Sequence, residues 1–427
     1  MIKGVYSTCV LAAIAAFNAP DSITAATTWT HNARATFQQL SDGPKSVSQP
    51  SISRNGRVIV FQADHYSGLD VPSDIYVADR STGRVTVVSV APDGGAANGN
   101  SSAARLTPDG RFVTFFSDAS NLIAADDNGR MDMFIRDLHA ESTSRIDLDV
   151  PPDKGLSSYV VSDKARVIAY TTENLNDPSG RHTDLFVYDR KALTTTHIPL
   201  PPIEEAGSLW FAVTSITPDG RFVVFHSGRQ LTADDQPQFL PEPFPDKDVF
   251  VLDRYRGMIE RVSVATSGAE GIGSSWDGHI SDDGRFVVFL SEAANLVAGD
   301  TVPGYGSWDI FVRDRVAKTT RRVSLDRSAL EANSQNASPA ISADGRTIVY
   351  QSEPVGSVGP SDLFIYDVRR RTTERIAVDS ASGEDDFFEP AVSAHGRFVV
   401  FGTYANLSGL DTNDARDIYV LDRRSPE

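Results

Sequence analysis

The chain of 427 residues has a single cysteine, Cys9. One thiol cannot form a disulfide within the chain, and Cys9 lies in a leader segment. The mature protein is therefore expected to use neither thiolate catalysis nor a cysteine-ligated metal site. Positive charge is also in deficit: 40 Lys and Arg face 57 Asp and Glu, for a formal net charge of -17 and a pI near 4.9. An acidic surface repels nucleic acid and anionic lipid, so cations, basic proteins and neutral glycans remain as partners. The sequence has no Gly-x-Ser-x-Gly elbow, no His-Glu-x-x-His helix and no phosphate-binding Gly-Lys-Ser/Thr loop. Its 8 histidines (His31, His65, His139, His182, His197, His226, His279 and His395) fall in no local metal spacing. Convergence in space stays open. No apolar run is long enough to span a bilayer.

The one short apolar run, Val10 to Phe17, follows Lys3 and precedes the small residues Thr24-Ala25-Ala26. That is the layout of a secretory signal over residues 1–26. Cys9 precedes the apolar run instead of ending it, which is unlike a lipoprotein cysteine. The expected mature protein is one domain over 27–427, periplasmic or secreted, monomeric, binding no nucleic acid and inserting into no membrane.

What the sequence does contain is a repeat. Ser342-Ala343-Asp344-Gly345-Arg346 recurs around Gly56, Gly110, Gly220, Gly284 and Gly396, with a degenerate copy at Ser162-Asp163-Lys164-Ala165-Arg166. Successive steps are 54, 55, 55, 64, 61 and 51 residues. A short apolar strand precedes each Asp-Gly or Asn-Gly pair and another follows it. This is the strongest local hairpin signal and predicts a two-residue type I′ turn with positive φ at both positions. A third strand follows in every copy, as in Asp309-Ile310-Phe311-Val312, and then an Asp, usually with Arg beside it, a turn and an outer strand such as Thr320 to Ser324. The third strands are apolar on consecutive positions, so both their faces must be covered.

These features predict an all-β propeller of seven four-stranded blades; a six-bladed ring would leave the Ala165 copy or a terminal unit outside. After the last third strand, Asp417 to Asp422, no outer strand remains before Glu427. Residues 35–40 precede the first inner strand as outer strands do elsewhere, so the ring is expected to close by pairing them with the last blade. The Ser-x-Asp-Gly-Arg hairpin with a following Asp-aliphatic-aromatic-Val-x-Asp-Arg strand resembles the TolB-type propeller repeats of the WD-repeat-like superfamily, over roughly residues 35–423. The resemblance implies the fold, without the amino-terminal α/β domain that TolB carries. Some propellers of this kind resemble oligogalacturonate lyases, and that likeness implies a metal and basic-residue site on the channel face, where His279 and Arg105 hold inner-strand positions.

Loop lengths point to one rim. The hairpins and the turns to the outer strands are short, whereas long connections run over 118–131, 228–247 and 292–308 on the opposite side. The aromatic residues Trp210, Phe211, Trp276, Phe387 and Phe388 start innermost strands there, and Tyr305 and Trp308 lie in a long connection. With His279 they form the candidate ligand surface, suited to stacking on sugars or anchoring a peptide; the alternative is that the aromatics cap the inter-blade core. Two acidic turns space oxygens for a hard cation such as Ca²⁺: Asp126, Asn128 and Asp132, and Asp411, Asn413 and Asp417. The alternative is ordinary Asx turns. The repeated Asp-Arg pair, as at Asp314-Arg315, is expected to form turns, with the Asp hydrogen-bonded between blades. Together these features predict a non-catalytic scaffold of the cell envelope that holds an envelope protein, peptide or glycan on the long-loop rim. A polysaccharide lyase-like enzyme with a metal site at the channel mouth is the alternative.

Overall fold

Each repeat folds into a four-stranded antiparallel sheet whose strands neighbour one another in chain order, and seven such sheets make the ring. The computed structural model describes residues 36–41, 45–65, 72–174, 183–201, 211–232, 247–298, 308–324, 334–354, 361–376, 387–405, 407 and 415–423. The expected leader lies outside these. Among the described residues no helix is long and apolar enough to cross a membrane.

The innermost strands are Lys45–Ile52, Ser101–Leu106, Lys154–Val161, Ala212–Ile216, Ser275–Ile280, Ser334–Ile341 and Phe387–Val392. The expected third strands all form, from Asp74–Asp79 to Asp417–Asp422. Their continuous apolar pattern has the expected cause: cores lie between blades, so both faces are covered. One core joins Val60, Ile75 and Val77 of blade one to Phe115 and Phe134 of blade two, and another joins Val224, Val249 and Val251 of blade four to Val287, Phe289 and Phe311 of blade five. Second and third strands also stack rings across the sheet, with Phe225 and Phe250 at 5.6 Å and Tyr350 and Phe364 at 5.3 Å between centroids.

The ring closes as the strand count requires. Thr36–Gln39 lies antiparallel beside the last strand, with Thr36 opposite Asp422 and Gln39 opposite Tyr419. Side chains reinforce the closure. Gln39 Nε2 and Ser41 Oγ donate to the two carboxylate oxygens of the fully buried Asp417 at 2.8 and 2.7 Å, and Ser41 Oγ accepts the Ile418 N–H at 2.9 Å.

The hairpin differs from the expected two-residue turn. At Ser53 to Val58 only Gly56 has positive φ, and its N–H bonds Ser53 O at 2.9 Å. The remaining donors are taken by side chains: Val58 N–H donates to Ser53 Oγ and Arg57 N–H to Asn55 Oδ1, both at 2.9 Å. The hydroxyl-to-strand bond recurs in all seven blades, from Ser53, Thr107, Ser162, Thr217, Ser281, Ser342 and Ser393. A hydroxyl that accepts a strand N–H makes a longer turn stable, and the second positive φ is then unnecessary.

The Asp-Arg pair also needs correction. The Asp bonds within its own blade, pairing with the hairpin Arg (Arg57–Asp79 at 2.7 Å, Arg111–Asp137 at 2.6 Å, Arg285–Asp314 at 2.7 Å) while capping the next turn. The neighbouring Arg makes the contact between blades. Arg315 of blade five lies 4.6 Å over Phe222 of blade four and pairs with Glu260 at 2.7 Å, and Arg80 of blade one lies 4.0 Å over Phe398 of blade seven.

Candidate functional site

The innermost strands run from the rim of long connections to the rim of short hairpins, and together they enclose a central channel of about 460 Å³. Its hairpin end is apolar. The last residue of each innermost strand, Ile52, Leu106, Val161, Ile216, Ile280, Ile341 and Val392, borders it, so seven aliphatic residues form a collar there while also packing into the cores between blades. Below the collar Arg54 of blade one pairs with Asp282 of blade five. These blades are not adjacent, so the pair spans the axis. Burial raises the Asp282 pKa against the opposing pull of Arg54, and Asp163 of blade three adds negative charge there.

Above the collar the channel is polar because every innermost strand carries a bulge. In five blades the register skips two residues, and the first of these has positive φ: Gln49 52°, Ala103 53°, Asp277 51°, Ser338 48° and Glu389 46°. The second is small or Pro: Pro50, Ala104, Gly278, Pro339 and Pro390. Blades three and four skip only one residue, Ser157 and Thr214. A Cβ at Gly278 would stand 2.6 Å from Val249 Cγ1, which shows how closely the bulge presses on the preceding blade. Positive φ at a non-glycine residue costs of order 1–3 kcal/mol and concentrates at working sites. Four of the five residues held this way are polar and line the channel: Gln49, Asp277, Ser338 and Glu389.

Arg105 and His279 line it one layer closer to the collar. His279 Nε2 sits 3.1 Å from Asp277 Oδ1. Burial pushes the Asp277 pKa up, but His279, His226 and Arg105 together outweigh it, so the carboxylate stays ionised. His226, on the second strand of blade four, is half-buried, and its pKa is pushed down to about 4, mainly by that burial. Its Nδ1 has no hydrogen-bond partner among the described residues. Across the channel, the Glu389 carboxylate accepts the Gln49 backbone N–H, while Gln49 Oε1 is buried without a donor. Arg105 is exposed to the channel and makes no hydrogen bond or ion pair through its guanidinium among the described residues. The channel lining therefore mixes both signs: Arg105 comes from blade two, the His279–Asp277 pair from blade five, and Gln49 and Glu389 from the adjoining blades one and seven.

The aromatic candidates divide. Phe211 is buried in the core between blades three and four, 5.4 Å from Phe225, so it is not a contact surface. Trp276 and Trp308 meet edge to face at 5.5 Å and 85°, pack on the core between blades five and six, and Trp308 Nε1 donates to Glu292 Oε1 at 3.0 Å. Both stay partly exposed beside that core. Phe387 and Phe388 begin the innermost strand of blade seven, and their side chains lie outside the described residues, as do Trp210 and Tyr305.

Of the cation candidates, Asp126 and Asp132 face Arg145 Nη1 at 3.2 and 3.5 Å, and Asn128 Nδ2 donates to Asp132 Oδ2 at 2.7 Å. The cation these oxygens meet is a guanidinium. Asp411 and Asn413 lie outside the described residues, and Asp417 belongs to the ring closure. Among the described residues no group of three or more His, Cys, Asp or Glu side chains is placed to hold a metal ion. Two features escaped the sequence reading. The channel residues at the bulges were announced by X-Pro and Asp-Gly pairs inside otherwise regular strands. Asn121 and Asn295, in the related phrases Ala119 to Leu122 and Ala293 to Leu296, tie long connections down by bonding Ala96 O and Glu270 O at 2.8 Å each.

The protein is thus an all-β closed propeller with seven blades and a polar central channel. No family model matches the chain, and no curated protein matches it in sequence. Solved structures do. An oligogalacturonate lyase from Vibrio parahaemolyticus aligns at TM-score 0.60 with 13% identity, over 93% of this chain and 96% of that one. An oligogalacturonate lyase in complex with manganese aligns at 0.57 with 15% identity, over 94% and 96%. A putative TolB from Agrobacterium tumefaciens aligns at 0.40 with 14% identity, over 68% and 88%, which is too distant to support an argument. At these identities the likeness establishes the propeller fold alone.

Proposed function

We propose that the protein is an exported, non-catalytic binding scaffold of the cell envelope. It holds a ligand or a protein partner at the end of the channel that opens among the long connections. The observation behind this reading is the polar channel above the aliphatic collar, where four polar residues are kept in a costly backbone conformation. A rigid ring with long connections on one side is the usual setting for a binding surface. Export rests on the leader pattern over residues 1–26.

The test sets the purified protein against a glycan array and an envelope-extract pull-down at moderate salt, beside a Ser51→Trp variant that fills the channel. Binding of one glycan or one envelope protein, lost in the variant, is expected. No binding in either format, or binding that the variant leaves intact, overturns the channel reading.

A further inference from the structure

We infer that the groove between blades five and six, on the rim of short hairpins, binds a phosphate-class oxyanion through Arg321 and Arg371, with the Tyr366 hydroxyl as a third donor. This site is separate from the channel and does not depend on the reading above. Comparison of the seven blades points to it. In every outer strand one residue lies opposite the fourth residue of the third strand. It is Thr or Ser in blades one to three, Glu260, Glu374 and Gln38 in blades four, six and seven, and Arg321 in blade five. Where that residue is Glu or Gln, an arginine from the next blade meets it: Arg315–Glu260 at 2.7 Å, Arg423–Glu374 at 3.5 Å, and Arg80 Nε to Gln38 Oε1 at 3.1 Å. Between blades five and six the acceptor has become Arg321 and the arginine has become Val368. A position that elsewhere holds a neutralised pair therefore holds a single uncompensated cation.

A second cation joins it. Val312, the cross-strand partner of Arg321, shares one core with Tyr366 and Val368, so Arg321 and Tyr366 face the same blade boundary. Arg371, in the turn after the third strand of blade six, acts on the Tyr366 hydroxyl together with Arg321, and burial outweighs both and keeps that hydroxyl protonated. Between blades one and two the matching positions, Thr86, Arg136 and Glu141, line a single groove of about 560 Å³, so one small ligand can reach all three. Arg321 and Arg371 are half-buried and make no hydrogen bond or ion pair through their guanidiniums among the described residues. The carboxylates close by are engaged: Asp367 accepts the Arg369 and Arg370 N–H groups at 2.9 and 2.8 Å, Asp314 pairs with Arg285 at 2.7 Å, and Glu374 turns to Arg423 of blade seven. Guanidiniums offer only donors, which suits the several acceptor oxygens of a phosphate better than the two of a carboxylate. The net charge of -17 does not forbid this, because exposed charges more than about 8 Å away are largely screened at physiological salt.

Calorimetric titration of the full chain with inorganic phosphate, glycerol 3-phosphate and acetate, at low and at physiological salt, tests this. Inorganic phosphate is expected to bind about tenfold or more tightly than acetate, and less tightly as salt rises. Arg321→Gln and Arg371→Gln should each raise its Kd about tenfold or more. Arg84→Gln, which removes an exposed arginine of blade one, should leave it unchanged. The double variant Arg321→Glu with Val368→Arg rebuilds the pair found between blades four and five; it should stay folded and lose phosphate binding. Phosphate should raise the thermal midpoint of the natural protein and not that of the double variant. Circular dichroism shows that each variant is folded. If glycerol 3-phosphate binds too, the site takes phosphate monoesters; if inorganic phosphate alone binds, it takes the free ion, and both results sustain the inference. Equal binding of acetate and phosphate refutes it, as do a folded Gln variant with unchanged affinity, phosphate binding that survives in the double variant, or no phosphate binding at low salt.

Discussion

Ser41→Ala should loosen the ring at its seam. The Ser41 hydroxyl does two jobs there: it donates to the buried Asp417 carboxylate at 2.7 Å and accepts the Ile418 N–H at 2.9 Å. Removing it leaves a strand N–H without its acceptor, at about 1–3 kcal/mol, and removes a bond to an ionised group worth about 1.5–3 kcal/mol. The two losses share one atom and are not additive, so the expected destabilisation is about 2–4 kcal/mol. Urea unfolding followed by tryptophan fluorescence measures it as a lower midpoint with an unchanged slope. Hydrogen exchange adds location: the amides of Leu40 and Ile418, which bond across the seam, should lose protection before those of the other blades. Ser81→Ala, which removes a bond to Asp79 on the exposed rim, is the control and should change stability by less than about 0.5 kcal/mol. If Ser41→Ala is as mild as that control, the seam is not held as described.

His226 makes stability depend on pH. Its folded pKa of about 4 lies below the ordinary 6.5, so between those values the unfolded chain takes up a proton that the folded chain refuses. The stabilisation is complete above about pH 6.5 and falls away toward pH 4 by roughly 3 kcal/mol; Asp277 and Lys247 are the charged groups acting on it. In His226→Phe this part of the slope, measured by urea titrations at several pH values, should vanish, and an unchanged slope would refute the assignment. Arg111→Ala should release Asp137, which the hydrogen bond from Arg111 holds at about 2, toward the ordinary carboxylate range in an NMR titration. No movement would mean that the turn amides of His139 and Ala140 suffice. Gly278→Ala should destabilise by about 1–3 kcal/mol in thermal unfolding, because the new methyl meets Val249 and Val224; a neutral result would show that the bulge can shift.

Much of the fold was legible in the sequence because its signals are local. The apolar third strands, the hairpin glycines and the repeat spacing each depend on a few neighbouring residues, and the strand left over at one end fixed the partner of Phe37 at the other. Even so, the hairpin geometry was misjudged. The Ser and Thr hydroxyls that accept strand N–H groups are as local as the glycines, but their effect on the turn depends on where the second strand begins.

The site was less legible, and the reason is physical. Trp276, Trp308 and Phe211 attract attention by size, but whether an aromatic faces solvent or a neighbouring blade depends on inter-blade packing, which no single repeat contains. Sequence by itself determined the repeat, the strand order within a blade and the closure, since each follows from hydrogen bonding and apolar periodicity along short stretches. Only the tertiary structure decided that Gln49, Arg105, Asp277, His279 and Glu389, spread over some 340 residues, share one channel. The ring brings them together, because closing seven wedge-shaped sheets around an axis sets the middle of every innermost strand against the same central space.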